Sequence, residues 1–120
     1  MKFSRSDPAG YIVRSYEPGR LLVNSSVFET SVVLTVDNVE PWPVRDIASL
    51  DAAHLTTLLS HSPDLIVLGT GPRQVFPPAP SLRPLAEAGV GIEIMTTQAA
   101  VRTYNVLISE GRRILAALIV

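Results

Sequence analysis

The chain contains no cysteine in its 120 residues. Disulfide frameworks, thiolate nucleophiles and Cys-ligated zinc or iron–sulfur centres are excluded together. It also lacks an excess of either charge, since 10 Lys and Arg stand against 11 Asp and Glu for a formal charge of −1, with both signs intermixed. Such a balance offers no electrostatic footprint for a phosphate backbone, so nucleic acid is not an expected partner. Long apolar runs are missing as well. No stretch approaches the ~20 residues that a membrane-spanning helix needs, and Met1 to Pro8 holds no apolar core of an export signal. The expectation is a cytoplasmic chain that is not membrane-embedded. The run from Ile114 to Val120 is far too short to span and reads as a buried strand.

What is present is a hydrophobic content of 47%, spread along the chain as Leu, Ile, Val and Ala. That is enough for one core and too little length for two, so residues 1–120 are expected to form a single domain. Residues 1–36 read as a β-meander, because Tyr11-Ile12-Val13, Arg20 to Val23 and Val32 to Val36 are β-prone runs separated by turn residues. Residues 37–48 read as a loop carrying the single Trp42, since Pro41 and Pro43 forbid helix and central strand. Residues 49–120 alternate helix and strand. Asp51 is placed to cap a helix over 51–61, with Leu50 and Leu55 spaced as a hydrophobic staple. Leu65 to Leu68 is a continuous apolar run expected at the centre of a sheet. Ser81 is expected to cap a short helix ended by Gly89, and Ile92 to Met95 is the next strand. A long helix opens at Thr97, with Ala100, Val101, Tyr104, Leu107 and Ile108 as its apolar face. Strand, helix, strand in this order predicts parallel pairing of 65–68 with 92–95. The direction of the last strand is left open.

Candidate chemistry is sparse. Gly69-Thr70-Gly71 ends the buried strand where open α/β sheets bind ligands, but it matches neither a dinucleotide fingerprint nor a P-loop. Glycines that permit a tight exit from the strand are the plainer reading. If the two strands are neighbours, Gly69 to Gly71 and the start of the long helix share one crevice, where free N–H groups would favour a carboxylate or phosphate within reach of Arg73. His54 and His61 lie roughly 10 Å apart along one helix at ~1.5 Å rise per residue, too far for one metal. Asp37, Glu40 and Asp46 are irregularly spaced and read as a solvated acidic rim. Trp42 is either a lid packed on the sheet or an exposed anchor for a partner, and the lid is preferred. Gln98, Arg102, Asn105 and Ser109 oppose the apolar stripe of the long helix and read as a solvated face, while Tyr104 reads as a core aromatic. No catalytic residue, metal site or cofactor emerges.

Taken together, Asp64-Leu65-Ile66-Val67-Leu68-Gly69-Thr70-Gly71, Gly89 to Met95, Thr97 to Asn105, Glu110 to Arg113 and Ala116 to Ile119 resemble a widespread family of small α/β domains. That family includes the mitochondrial assembly factor for respiratory complex I and an adipogenesis-associated protein, and the resemblance covers nearly the whole chain. It implies a three-layer α/β domain with a mixed central sheet in which one strand runs antiparallel, with the N-terminal β-meander followed by βαβ, a long C-terminal helix and a final strand. No enzymatic activity is established for the family as a whole, and its eukaryotic branch implies assembly through partner binding. Two departures stand out: Thr96 replaces a common Asp before the helix-opening threonine, and Val101 replaces a common cysteine. The matching residues Gly69, Thr70, Gly71, Thr97, Arg102, Tyr104 and Asn105 are either a candidate shared surface or determinants of the fold. Two functions are therefore carried forward. One is a non-catalytic protein-binding or assembly-factor module, able also to cover its apolar surface by forming a homodimer. The other is a small-anion binder or weak enzyme using Gly69, Thr70, Gly71, Arg73, Thr97, Arg102 and Asn105.

Overall fold

Alternation of apolar side chains between the two faces of one sheet organises the chain. The computed structural model describes residues 10–120, so the readings placed on residues 1–9 lie outside the described residues. The first sheet is an antiparallel meander of β1 (Val13–Glu17), β2 (Arg20–Val23) and β3 (Ser26–Phe28). Pro18 and Gly19 turn β1 into β2, with Glu17 opposite Arg20 and Gly19 at φ +86°. A two-residue turn with Asn24 at φ +51° leads from β2 to β3, where Val23 faces Ser26. Asn is among the few residues that tolerate this conformation.

The second sheet contains β4 (Val32–Leu34), β5 (Val39–Pro41), β6 (Leu65–Gly69), β7 (Gly91–Met95) and β8 (Ile114–Leu118), in the order β5-β4-β8-β6-β7. β6 is parallel to β7 and to β8, whereas β4 is antiparallel to β8 and to β5. The sheet is therefore mixed, the expected pairing of 65–68 with 92–95 is present, and the last strand runs parallel to β6. Three expectations are corrected. Residues 37–48 are not loop throughout, because Val39–Pro41 form β5, an edge strand where a proline is tolerated. The run beginning at Val32 belongs to this main sheet rather than to the meander, whose third strand is β3. Val32, Val33 and Leu34 are all buried, a pattern that suits a strand covered on both faces. The centre of the sheet is β8, with β6 beside it; all five residues of β8 are buried.

Helix α1 (Ala52–Leu58) starts at Asp51 as expected and continues into a 3-10 turn over Leu59–His61. Helix α2 (Arg83–Glu87) is preceded by a 3-10 turn over Ala79–Leu82. Ser81 does not cap α2. Its hydroxyl donates to the carbonyl of Pro78 at 2.6 Å and closes the preceding turn, because three prolines in Pro77 to Pro80 force a tight bend there. Helix α3 (Thr97–Ser109) is capped by Thr96, whose hydroxyl accepts from the Ala99 N–H.

Two apolar clusters flank the main sheet. Ile66, Leu68, Leu115, Ala117 and Ile119 point to one side and meet Trp42, Val44, Ile47, Leu55, Leu58 and Leu85 from the Trp42 loop, α1 and α2. Val67, Ile114, Ala116 and Leu118 point to the other and meet Ala100, Val101 and Tyr104 of α3 with Val13, Leu21 and Val23 of the meander. These are the three layers, and each fully buried Leu, Ile or Val contributes about 1.5–3 kcal/mol.

Candidate functional site

The carboxyl end of β6 does meet the start of α3, and the two are tied by hydrogen bonds. Thr97 is fully buried, and its hydroxyl donates to the carbonyl of Ile119 at 2.6 Å while accepting from the Gly71 N–H at 2.8 Å. The Thr97 N–H donates in turn to the Gly71 carbonyl at 3.0 Å. Thr70 is buried too: its N–H donates to the Met95 carbonyl at 2.9 Å, and its hydroxyl binds the Arg73 carbonyl and accepts from the Val75 N–H. The Ile119 N–H donates to Gly69 at 2.9 Å. A Cβ at Gly69 would lie 2.9 Å from the Thr97 hydroxyl and 3.0 Å from its Cα, so only glycine lets the strand approach the helix here. Gly71, at φ +95°, makes the exit turn. The strand end is thus filled by its own polar groups.

The remaining candidates separate. Arg73 is exposed and lines a shallow cleft with Asp46, Ile47 and Val75. Arg102 and Asn105 lie on a different groove, between α3 and β1, together with Arg14, Tyr16 and Gln98. Asn105 is engaged by the fold: its amide accepts from the Val13 N–H at 3.0 Å and donates to the Val13 carbonyl at 2.8 Å, as a neighbouring strand would. An adjoining cleft of about 400 Å³ shares Tyr16 and Gln98 and reaches Gly71, Pro72 and Thr96. The Tyr16 and Tyr104 hydroxyls are both raised above the ordinary tyrosine range, first by burial. Tyr104 donates to the Tyr11 carbonyl at 2.8 Å. Both are hydrogen-bond donors rather than bases.

Trp42 is buried against the sheet, in agreement with a lid, and its indole N–H finds no acceptor among the described residues. His54 and His61 serve separate contacts. His54 accepts from the Asp51 N–H in a capping box, and His61 lies 3.0 Å from Glu40. Asp46 caps the 3-10 turn Ile47–Ser49. Among the described residues no group of three or more His, Asp or Glu could hold a metal ion. Sequence reasoning missed two features. Val75 and Phe76 stand exposed on the proline-rich loop, Phe76 by 67%. Arg14 sits where the β1–β2 register shifts between Val13 and Ser15, so it has no partner on β2.

A family described as "Protein of unknown function (DUF498/DUF598)" matches residues 13–119. A protein of Francisella tularensis subsp. holarctica named 13 kDa major membrane protein is 30% identical over 103 residues, 84% of each chain. NADH dehydrogenase [ubiquinone] 1 alpha subcomplex assembly factor 3 of Danio rerio is 36% identical over 115 residues, covering 92% of this chain; the chain spans 65% of that protein's length. A crystal structure from Bordetella parapertussis, 38% identical, superposes with a TM-score of 0.85 over 90% of this chain and 93% of that one. No helix among the described residues is long and apolar enough to cross a membrane.

Proposed function

The chain belongs to the DUF498/DUF598 family, and from that premise we propose that it is a non-catalytic assembly-factor module that holds a protein partner. Similarity to a complex I assembly factor supports this reading, as does the way the strand end spends its polar groups on itself. The observation that carries it is Phe76. A two-thirds exposed phenylalanine beside exposed Val75 is the kind of aromatic anchor on which partner binding concentrates. Its loop is held rather than loose: the Val75 N–H binds the Thr70 hydroxyl, and the Gln74 amide donates to the Ile94 carbonyl at 2.9 Å. In this reading Gly69, Thr70, Gly71 and Thr97 pin the base of the loop, and Arg73 flanks its apolar tip. The module works in the cytoplasm or against a membrane surface, and the name of the Francisella relative supports the second setting.

Quantitative affinity capture from the native cell, with the wild-type chain and with Phe76→Asp, tests the proposal. A protein enriched by the wild type and lost with the variant, whose melting temperature is unchanged, is the expected result. No reproducible protein above background, or equal capture by both chains, overturns it.

A further inference from the structure

The groove between β1 and α3 has two walls that each carry a guanidinium. Arg14 comes from the bulge on β1 and Arg102 from the exposed side of α3, and both line the same groove of about 220 Å³, as does Gln98. Bulges commonly re-aim a side chain beside a site. The ion pairs among the described residues are His54–Asp51 and His61–Glu40, so neither arginine has a carboxylate partner there. Two like charges on one groove are unfavourable until an anion joins them. The walls are already set: Asn105 ties α3 to Val13, and the Tyr104 hydroxyl ties it to Tyr11. With the walls set, only the side chains that line the groove lose freedom on binding.

We propose that this groove binds a phosphate group, held between Arg14 and Arg102 with the Gln98 amide as a further donor. Phosphate fits better than carboxylate by donor count. One guanidinium already satisfies both oxygens of a carboxylate, whereas a phosphate monoester presents three oxygens to two guanidinium forks and an amide. An added peptide strand fits worse, because Asn105 occupies both edge groups of Val13 and closes the groove at that end. The adjoining cleft of about 400 Å³, reached past Tyr16, has room for the rest of a phosphate-bearing molecule. This site is separate from the Phe76 loop, and it stands or falls independently of the partner-binding reading.

The test is titration of the isotopically labelled chain with inorganic phosphate, glycerol phosphate and malonate, followed through the amide signals of Gln98 and Arg102. Cosedimentation with phosphatidylcholine vesicles, with and without phosphatidic acid, whose headgroup is a phosphate monoester, runs beside it. Saturable shifts with phosphate that weaken about tenfold or more in Arg14→Gln and in Arg102→Gln support the site. Both side chains are exposed, so the variants keep the fold and their spectra verify it. Tighter binding of glycerol phosphate than of phosphate identifies a small phosphorylated molecule as the source. Cosedimentation only with phosphatidic acid, lost in both variants, identifies a lipid headgroup. The proposal is overturned by responses that persist unchanged in both variants, by malonate binding as tightly as phosphate, or by no saturable response to any phosphate-bearing probe.

Discussion

At the scale of single residues, Thr97 does the work of a joint. Its buried hydroxyl serves Gly71 and Ile119 at once, and loss of it strands an N–H and a carbonyl away from water. Thr97→Val is therefore expected to cost about 2–4 kcal/mol in urea unfolding, with Thr97→Ser recovering most of it. Gly69→Ala pushes a methyl against the same hydroxyl and is expected to cost about 1–3 kcal/mol. Tyr104 gives a pH dependence. Burial first, and the charge of Asp37 second, raise its hydroxyl above the ordinary value of 10.0, so the folded state holds the proton more tightly than the unfolded one. The stability this contributes is intact below about pH 10 and falls as pH rises further. Urea midpoints measured from about pH 9 to about pH 11 should decline, and Tyr104→Phe should decline less steeply. A flat profile in the wild type would contradict the burial of this hydroxyl.

At the scale of elements, local signals were read well where one residue decides the outcome. Asp51 is the N-cap of α1, Pro18-Gly19 turns the first hairpin, and Gly89 ends α2 at φ +72°. Asp51→Ala is expected to cost about 1 kcal/mol in thermal melts. His54 as the returning partner of that cap was not legible, because the pattern calls for Glu or Gln at this position. Short connections point Val32 to the meander, but they say nothing about which distant strand completes the pairing; its partner Leu118 is 86 positions later. The candidate site was legible in part. Adjacent strands did bring Gly69 to Gly71 against Thr97, but sequence spacing cannot tell donors that are free from donors that are consumed. Asn105 read as solvated surface, yet it binds both edge groups of Val13. Asn105→Ala should cost about 1–2 kcal/mol and speed hydrogen exchange at the Val13 amide, whereas Asn105→Asp should be worse because a carboxylate cannot donate to the Val13 carbonyl.

At the scale of the whole molecule, one sheet with two covered faces leaves function to what stands outside it: the Phe76 loop at one end of β6 and the arginine groove beside α3. Neither feature needs the core to move. The sheet itself depends on β8, whose neighbours β4 and β6 do not pair with each other. A chain cut before Ile114 is expected to lack dispersed amide signals altogether, since it removes the shared partner of both halves and not merely an outer strand. The same arrangement bears on synthesis. A nascent chain leaving the ribosome exposes the facing edges of β4 and β6 until residues 114–118 emerge between them, so it passes through a half-built stage with two unpaired strand edges. Slowing elongation over the codons for α3 would lengthen that exposure and lower the yield of soluble protein.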